Sequence, residues 1–252
     1  MDTFPFLSVI VPAYNEEKRI RATLEDIIDF LLKKDWQSEI IVVSDGSKDN
    51  TVKICSSLIS KFPQLRIIEY AKNRGKGYAV KKGMLNSKGK LRLFMDADNA
   101  TKIEEVEKLL KYIKNDDSNG SIKEGKFDIV IGSLNVAGAK IDKKELFIRA
   151  LSGKMGNLII RLFLLSGIYD TQRGFKLFTN ESSEKIFSKL LIDRWGFDIE
   201  VLALANKFNF SVKETPICWS HNEGSKVGIF SYFQVLFELF KIRWWLWTKY
   251  KD

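Results

Sequence analysis

The chain has 252 residues, enough for one large domain or two small ones, and its 45% hydrophobic and 29% charged content suits a globular protein, not a disordered or fibrous one. With 41 Lys and Arg against 32 Asp and Glu, the net charge of +9 favours anionic partners: nucleic acid, phosphorylated small molecules or an acidic lipid surface. No uncharged apolar run reaches the roughly 20 residues of a membrane span, no signal-type N-terminus is evident, and Cys55 and Cys218 lack metal-ligand spacing and read as buried thiols. These features predict a cytoplasmic protein or one attached to the cytoplasmic face of a membrane.

Residues 6–11 predict a buried strand stopped by Pro12. A helix follows with Ile20, Leu24, Ile27, Ile28 and Leu31 on one face. Residues 39–43 make a second strand ending at Ser44-Asp45-Gly46, and Asp49 or Asn50 caps a helix through about Phe62. Arg66–Tyr70 is a third strand, Lys76–Asn86 a helix opened by Gly75 and Gly77, and 90–95 a fourth strand. Thr101 with Glu104 has the spacing of a capping box for a helix through Ile113. A polar loop over 115–126 leads to a strand at Phe127–Ser133. Val136–Lys144 reads as a mobile loop, 145–165 as an apolar helix, 169–178 as a polar turn entering a strand, 198–208 as an amphipathic helix and Ser211–Ile217 as a strand. Alternating strands and helices predict a mostly parallel, doubly wound α/β sheet.

Asp96 and Asp98 stand at the end of the fourth strand, one residue apart. On an extended chain their carboxylates point the same way, an arrangement that a bound Mg²⁺ or Mn²⁺ would stabilise; an ordinary turn also accounts for the pair. The surroundings favour the cation. Tyr14-Asn15-Glu16, Ser44-Asp45-Gly46 and Asp96-Ala97-Asp98 all fall at strand carboxyl ends, where open α/β sheets bind ligands.

In order and spacing, Val-Ile-Val-Pro-Ala-Tyr-Asn-Glu, Val-Ser-Asp-Gly-Ser, Asn-Arg-Gly-Lys-Gly and Met-Asp-Ala-Asp resemble the family 2 glycosyltransferases of GT-A fold. Asp170-Thr-Gln-Arg-Gly-Phe-Lys-Leu-Phe, Arg194-Trp-Gly-Phe-Asp-Ile-Glu and Glu223-Gly-Ser-Lys resemble one subgroup, the dolichyl-phosphate β-glucosyltransferases and their polyprenyl-phosphate relatives. The resemblance implies a Rossmann-like catalytic domain over 1–225 and inverting transfer of a hexose from a UDP-sugar to a polyprenyl phosphate. It assigns Pro12, Ala13, Tyr14, Glu16, Asp45, Lys76, Asp96, Ala97 and Asp98 to the nucleotide sugar, and Asp96 and Asp98 to the metal. Arg173, with Arg149 or Lys154, is a candidate clamp for the leaving diphosphate, a solvated helix face being the alternative for Arg149 and Lys154; Lys226 joins them as a candidate for phosphate or acceptor, and Asp98, Asp170 and Arg173 form the candidate catalytic set. Two departures stand out: the N-terminal anchor of eukaryotic relatives is not visible, and Leu134 follows Gly132-Ser133 where relatives usually have Arg.

A lipid phosphate is largely ionised at neutral pH and needs no strong base, so Asp170 would orient the acceptor or balance Arg173. Asp198 or Glu200 could act as a base if the acceptor were a sugar hydroxyl. The single histidine, His221, reads as a surface residue before a ligand. Residues 226–252 read as an amphipathic helix, with Phe230, Phe233, Phe237, Phe240, Trp244 and Trp247 at steps of three and four. The aromatics beside Lys249 and Lys251 predict a helix lying in the membrane interface, the alternative being a core or dimer helix. No groove-reading motif supports nucleic-acid binding. Rival readings are another donor such as GDP-mannose, a glycan hydroxyl acceptor, or a non-catalytic nucleotide-binding protein at a membrane surface; a homo-oligomer is left open.

Overall fold

The computed structural model describes residues 4–115, 125–143, 160, 163–165, 167–220 and 229–250, with the backbone alone at 143 and at 229–233. Among them, seven strands form one sheet in the order β3-β2-β1-β4-β7-β5-β8. These are β1 (Leu7–Ala13), β2 (Ser38–Asp45), β3 (Leu65–Tyr70), β4 (Leu91–Met95), β5 (Ile129–Ser133), β7 (Phe175–Thr179) and β8 (Val212–Pro216). β1, β2, β3 and β4 pair in parallel, as do β5 and β8, whereas β7 runs antiparallel between β4 and β5. The sheet is therefore mostly parallel, with one reversed strand.

Both faces of the sheet are covered, which is why its central strands are apolar on consecutive residues and not on alternate ones. On one face Leu7, Val9, Val11, Leu93 and Met95 pack against Leu24, Ile27 and Ile28 of α1 (Ile20–Leu31) and Val106 and Leu109 of α4 (Val106–Leu110). On the other, Ile10 and Phe94 meet Val80 and Met84 of α3 (Lys76–Asn86). The same cluster takes in Ile186 and Phe187 of α5 (Asn180–Lys189), much of α6 (Phe197–Lys207), and Leu239 and Ile242 of α7 (Ile229–Thr248).

Several local expectations change. β1 continues through Pro12 to Ala13; Pro12 lies beyond the last β1–β4 pair, Ile10↔Phe94, where a strand residue without an N–H is tolerated. The helix after Asp49, α2, spans only Thr51–Ser56, and Asp49 Oδ1 accepts its first N–H, from Thr51, at 3.0 Å. The Thr101–Glu104 capping box does not form: a 3₁₀ turn covers Ile103–Glu105, and Glu105 accepts the distant Cys218 N–H at 2.9 Å.

Part of the expected loop 136–144 is strand β6 (Lys140–Lys143), paired in parallel with β9 (Cys218–Ser220). α6 is not amphipathic, since every residue from Phe197 to Ala205 is buried, Asp198 and Glu200 included. Cys55 is buried, and burial pushes its thiol up to about 12, whereas Cys218 is only half-buried. Most of the expected helix at 145–165 lies outside the described residues.

Candidate active site

The parallel strands β1, β2 and β4 bring three polar segments to one edge of the sheet. Pro12 and Ala13 end β1, and Tyr14 and Glu16 follow it. The first two segments are laced together: Asn15 N–H donates to Ser47 Oγ at 3.0 Å, Lys48 N–H to Asn15 Oδ1 at 2.8 Å, and Glu16 N–H to Thr51 Oγ1 at 2.7 Å. The Glu16 carboxylate accepts Arg19 Nε and Nη2, each at 2.8 Å.

Asp45, 3% exposed at the end of β2, braces the turn that opens α3. Its carboxylate accepts Arg74 N–H at 2.8 Å, Gly75 N–H at 2.8 Å and Asn73 Nδ2 at 2.9 Å. Gly75 has φ +119°, and a Cβ there would stand 2.5 Å from Asp193 O, so only glycine fits. The turn presents Lys76, whose Nζ lies 2.6 Å from Asp96 Oδ1. Although burial works against its charge, Asp96 and Asp198 hold the Lys76 ammonium above its ordinary value.

Asp96 to Asp98 lie just past the end of β4 in a turn clasped by α1, with Thr23 Oγ1 donating to Ala97 O at 2.7 Å and Asp26 accepting Asn99 Nδ2 at 2.7 Å. Burial first, and then the neighbouring Asp96 charge, push the Asp98 carboxyl above its ordinary value. A carboxyl raised beside a second carboxylate is a donor that a hard divalent cation would relieve. Among the described residues no group of three or more His, Cys, Asp or Glu assembles, so Mg²⁺ or Mn²⁺ held by Asp96 and Asp98 would need further oxygens from diphosphate and water.

β7 runs back beside β4 and delivers the 170–174 segment to this turn: Asp96 N–H donates to Gly174 O at 3.1 Å. Asp170, 3% exposed, accepts Leu134 N–H at 2.9 Å and lies 3.5 Å from Arg173 Nε. Behind them Lys176, fully buried, donates to Asp198 and, at 2.6 Å, to Arg173 O. Burial pushes the Asp198 carboxyl up and the Lys176 ammonium down, and their contact opposes both shifts. Glu200 accepts Leu191 N–H and Ile192 N–H, each at 2.7 Å, and the Tyr250 hydroxyl.

Lys76, Asp96, Asp98, Asp170 and Arg173 thus gather at one end of the sheet, with Asp45 one turn away. Arg149, Lys154, His221 and Lys226 lie outside the described residues. The sequence reading missed Arg19, whose charge reaches Asp98, and the Lys176–Asp198 pair as a support for Arg173. The signal for Lys176 was a lysine inside an otherwise apolar strand, Phe175–Thr179.

The profile of glycosyl transferase family 2 matches residues 8–187. The chain belongs to this family. It is 41% identical over 234 residues to a dolichyl-phosphate beta-glucosyltransferase of Dictyostelium discoideum, covering 90% of this chain and 70% of that protein. To the human protein of the same name it is 37% identical over 249 residues, 94% of this chain and 74% of the relative. The chain is accordingly a glycosyltransferase. Glucosyl-3-phosphoglycerate synthase from Mycobacterium tuberculosis, solved with Mn²⁺, uridine diphosphate and phosphoglyceric acid, superposes with a TM-score of 0.66 at 16% identity, over 94% of this chain and 78% of that one. That likeness fixes the GT-A fold of this family 2 member.

Proposed function

We propose that this glycosyltransferase moves glucose from UDP-glucose to a polyprenyl phosphate of the dolichyl type, with inversion at the anomeric carbon and a divalent cation held by Asp96 and Asp98. The observation that carries the reading is the gathering of Lys76, Asp96, Asp98, Asp170 and Arg173 at the strand ends, in a chain whose relatives bear the name dolichyl-phosphate beta-glucosyltransferase. The neighbour solved with uridine diphosphate and Mn²⁺ supports the donor and the metal.

Pro12, Ala13, Tyr14, Glu16 and Asp45 surround the nucleoside, and Lys76 and Ala97 border its diphosphate. A bound Mg²⁺ or Mn²⁺ would supply charge stabilisation to the departing diphosphate. Lys76 adds a fixed positive charge from the protein side, and Arg173 offers a guanidinium whose planar edge matches phosphate oxygens. Arg149, Lys154 and Lys226 are proposed to complete the acceptor side.

A specific feature favours a phosphate acceptor over a sugar hydroxyl. The candidate bases are committed: Asp198 to Lys176, Glu200 to three donors, and Asp170 to Leu134 and Arg173. A phosphate monoester, with its second pKa near 6, attacks as the anion and asks none of them to take a proton.

The C-terminal helix α7 supports attachment to the membrane that holds such an acceptor. Leu239 and Ile242 are buried in the core, while Phe237, Phe240, Trp244 and Trp247 on the outer side are 62–76% exposed, with Lys241, Arg243 and Lys249 beside them. No helix among the described residues is long and apolar enough to cross a membrane, which suits a helix lying in the interface.

The test is transfer of radiolabelled sugar into a polyprenyl phosphate in detergent micelles, with and without Mn²⁺. UDP-glucose should label the lipid in a metal-dependent way. Equal labelling from GDP-mannose, or labelling only of a soluble glycan, would overturn the proposal.

A further inference from the structure

Arg173 is loosely held by charge alone. Among the described residues its one ion pair, to Asp170, is 3.5 Å long, at the limit of a hydrogen bond, and Asp170 also serves Leu134 N–H. A long, partly exposed arginine held by so long an ion pair has several rotamers to lose before it can grip a phosphate. A second restraint comes from the opposite side: the Arg173 guanidinium carbon lies 5.2 Å from the centroid of the Trp219 ring, within cation–π range.

Trp219 is itself well placed. It is the middle residue of β9, opposite Ile141 in β6. Its two neighbours are pinned to the metal turn and the helix beyond it: Ser220 N–H donates to Ala100 O, two residues past Asp98, and Cys218 N–H donates to Glu105 Oε2, both at 2.9 Å. The ring is therefore tied to the same loop as Asp98, and Arg173 to the strand that abuts Asp96.

We propose that Trp219 is a positioning residue for the acceptor phosphate, its ring face holding the Arg173 guanidinium towards the site; this rests on the reading of Arg173 as a phosphate ligand. The physical reason for an aromatic residue here is competition. A second carboxylate would fix the guanidinium but neutralise it and occupy its N–H donors. A ring face attracts the cation through its quadrupole and leaves the donors on the guanidinium edge free for a phosphate dianion.

The experiment uses the full chain, a short water-soluble prenyl phosphate and UDP-glucose, and compares W219F, W219L, R173A and the double variant R173A/W219L. W219L should raise the KM for prenyl phosphate by roughly three- to thirtyfold, as expected for loss of a cation–π contact, with the KM for UDP-glucose unchanged. W219F, which restores an aromatic face, should recover most of that loss. In the R173A background W219L should have no further effect on the acceptor KM.

Equal damage from W219F and W219L, or additive losses in the double variant, would reduce Trp219 to packing and overturn the proposal. If R173A leaves the acceptor KM unchanged, the phosphate reading of Arg173 falls first and this inference with it. If R173A weakens acceptor binding and W219L does not, only the role of Trp219 is overturned. Melting temperature distinguishes a misfolded W219L from a mispositioned Arg173, and a W219L that melts early with both KM values altered also counts against the proposal.

Discussion

Gly174 and Asp96 are in such close contact that no side chain fits between them: a Cβ on Gly174 would lie 2.3 Å from Asp96 Oδ2. The Asp96 N–H donates to the Gly174 carbonyl at 3.1 Å, and the Asp96 carboxylate is drawn the other way by Lys76 at 2.6 Å. The acid is thereby aimed by a backbone contact on one side and a cation on the other.

Gly174→Ala is expected to displace the Asp96 carboxylate and lower turnover at least tenfold, while costing the fold about 1–3 kcal/mol, as overpacking does. Turnover and urea denaturation measured on the same sample check this. An alanine variant with full turnover would mean that the Asp96 position does not matter to the reaction.

Asp45 carries two expectations that one substitution separates. Asp45→Asn puts an NH₂ where the carboxylate now accepts Arg74 N–H, Gly75 N–H and Asn73 Nδ2, and should cost about 1–3 kcal/mol for buried groups left unsatisfied. If Asp45 also receives the uracil N–H, UDP affinity by calorimetry should fall beyond that of Asn73→Ala, which removes one donor to the carboxylate and loosens the same turn but keeps the acid itself. Equal affinities for the two variants would leave Asp45 as a brace alone.

Much of this arrangement could be read from the chain before folding. The alternation of apolar strands with helices located β1 to β5, and Gly75 and Gly77 located the start of α3 to the residue. What escaped depends on contacts distant in sequence. β9 has only three residues, and it exists because Lys140–Lys143 lies alongside it, a pairing that no local periodicity announces. α6 looked amphipathic because Asp198 and Glu200 are charged, yet both are buried and matched by Lys176, two backbone N–H groups and Tyr250 from elsewhere in the chain. The Thr101 capping box failed for a related reason, as long-range bonding at Glu105 reorganised the helix start.

Acid should expose one structural carboxylate away from the site. Asp128, at the entry to β5, accepts Lys114 Nζ at 2.8 Å, Ser211 N–H at 2.8 Å and Ser211 Oγ at 2.6 Å. Burial opposes its charge, but these donors outweigh burial and hold the carboxyl below its ordinary 3.8. A carboxylate lowered on folding contributes stability that is complete above its unfolded value and is lost as pH falls through the folded one. The melting temperature of wild type should therefore exceed that of Asp128→Asn near neutral pH, and the gap should close as pH falls below about 4. A gap independent of pH would mean the charge of Asp128 contributes nothing.

The last prediction concerns α7, which has two faces with different tasks. Glu238, 8% exposed, accepts the Gly196 N–H at the start of α6 at 2.8 Å, and Leu239, Ile242 and Tyr250 are buried in the core beside it. This face fastens the helix to the protein. The opposite stripe, Phe237, Phe240, Trp244 and Trp247, follows the three-and-four spacing of one helix side and is left outward. Replacing those four with Ser should leave the melting temperature and UDP affinity intact, because none of them supports the core. It should remove several kcal/mol of interfacial burial, at about 1.5–3 kcal/mol per large apolar side chain fully inserted. Flotation with vesicles containing anionic lipid should fall, and transfer to a long-chain polyprenyl phosphate with it, whereas transfer to a short water-soluble prenyl phosphate should persist. Ile242→Ser, on the inner face, should instead lower the melting temperature and reduce transfer to both acceptors. Vesicle binding undiminished in the four-fold variant would show that the aromatic stripe is not the membrane contact.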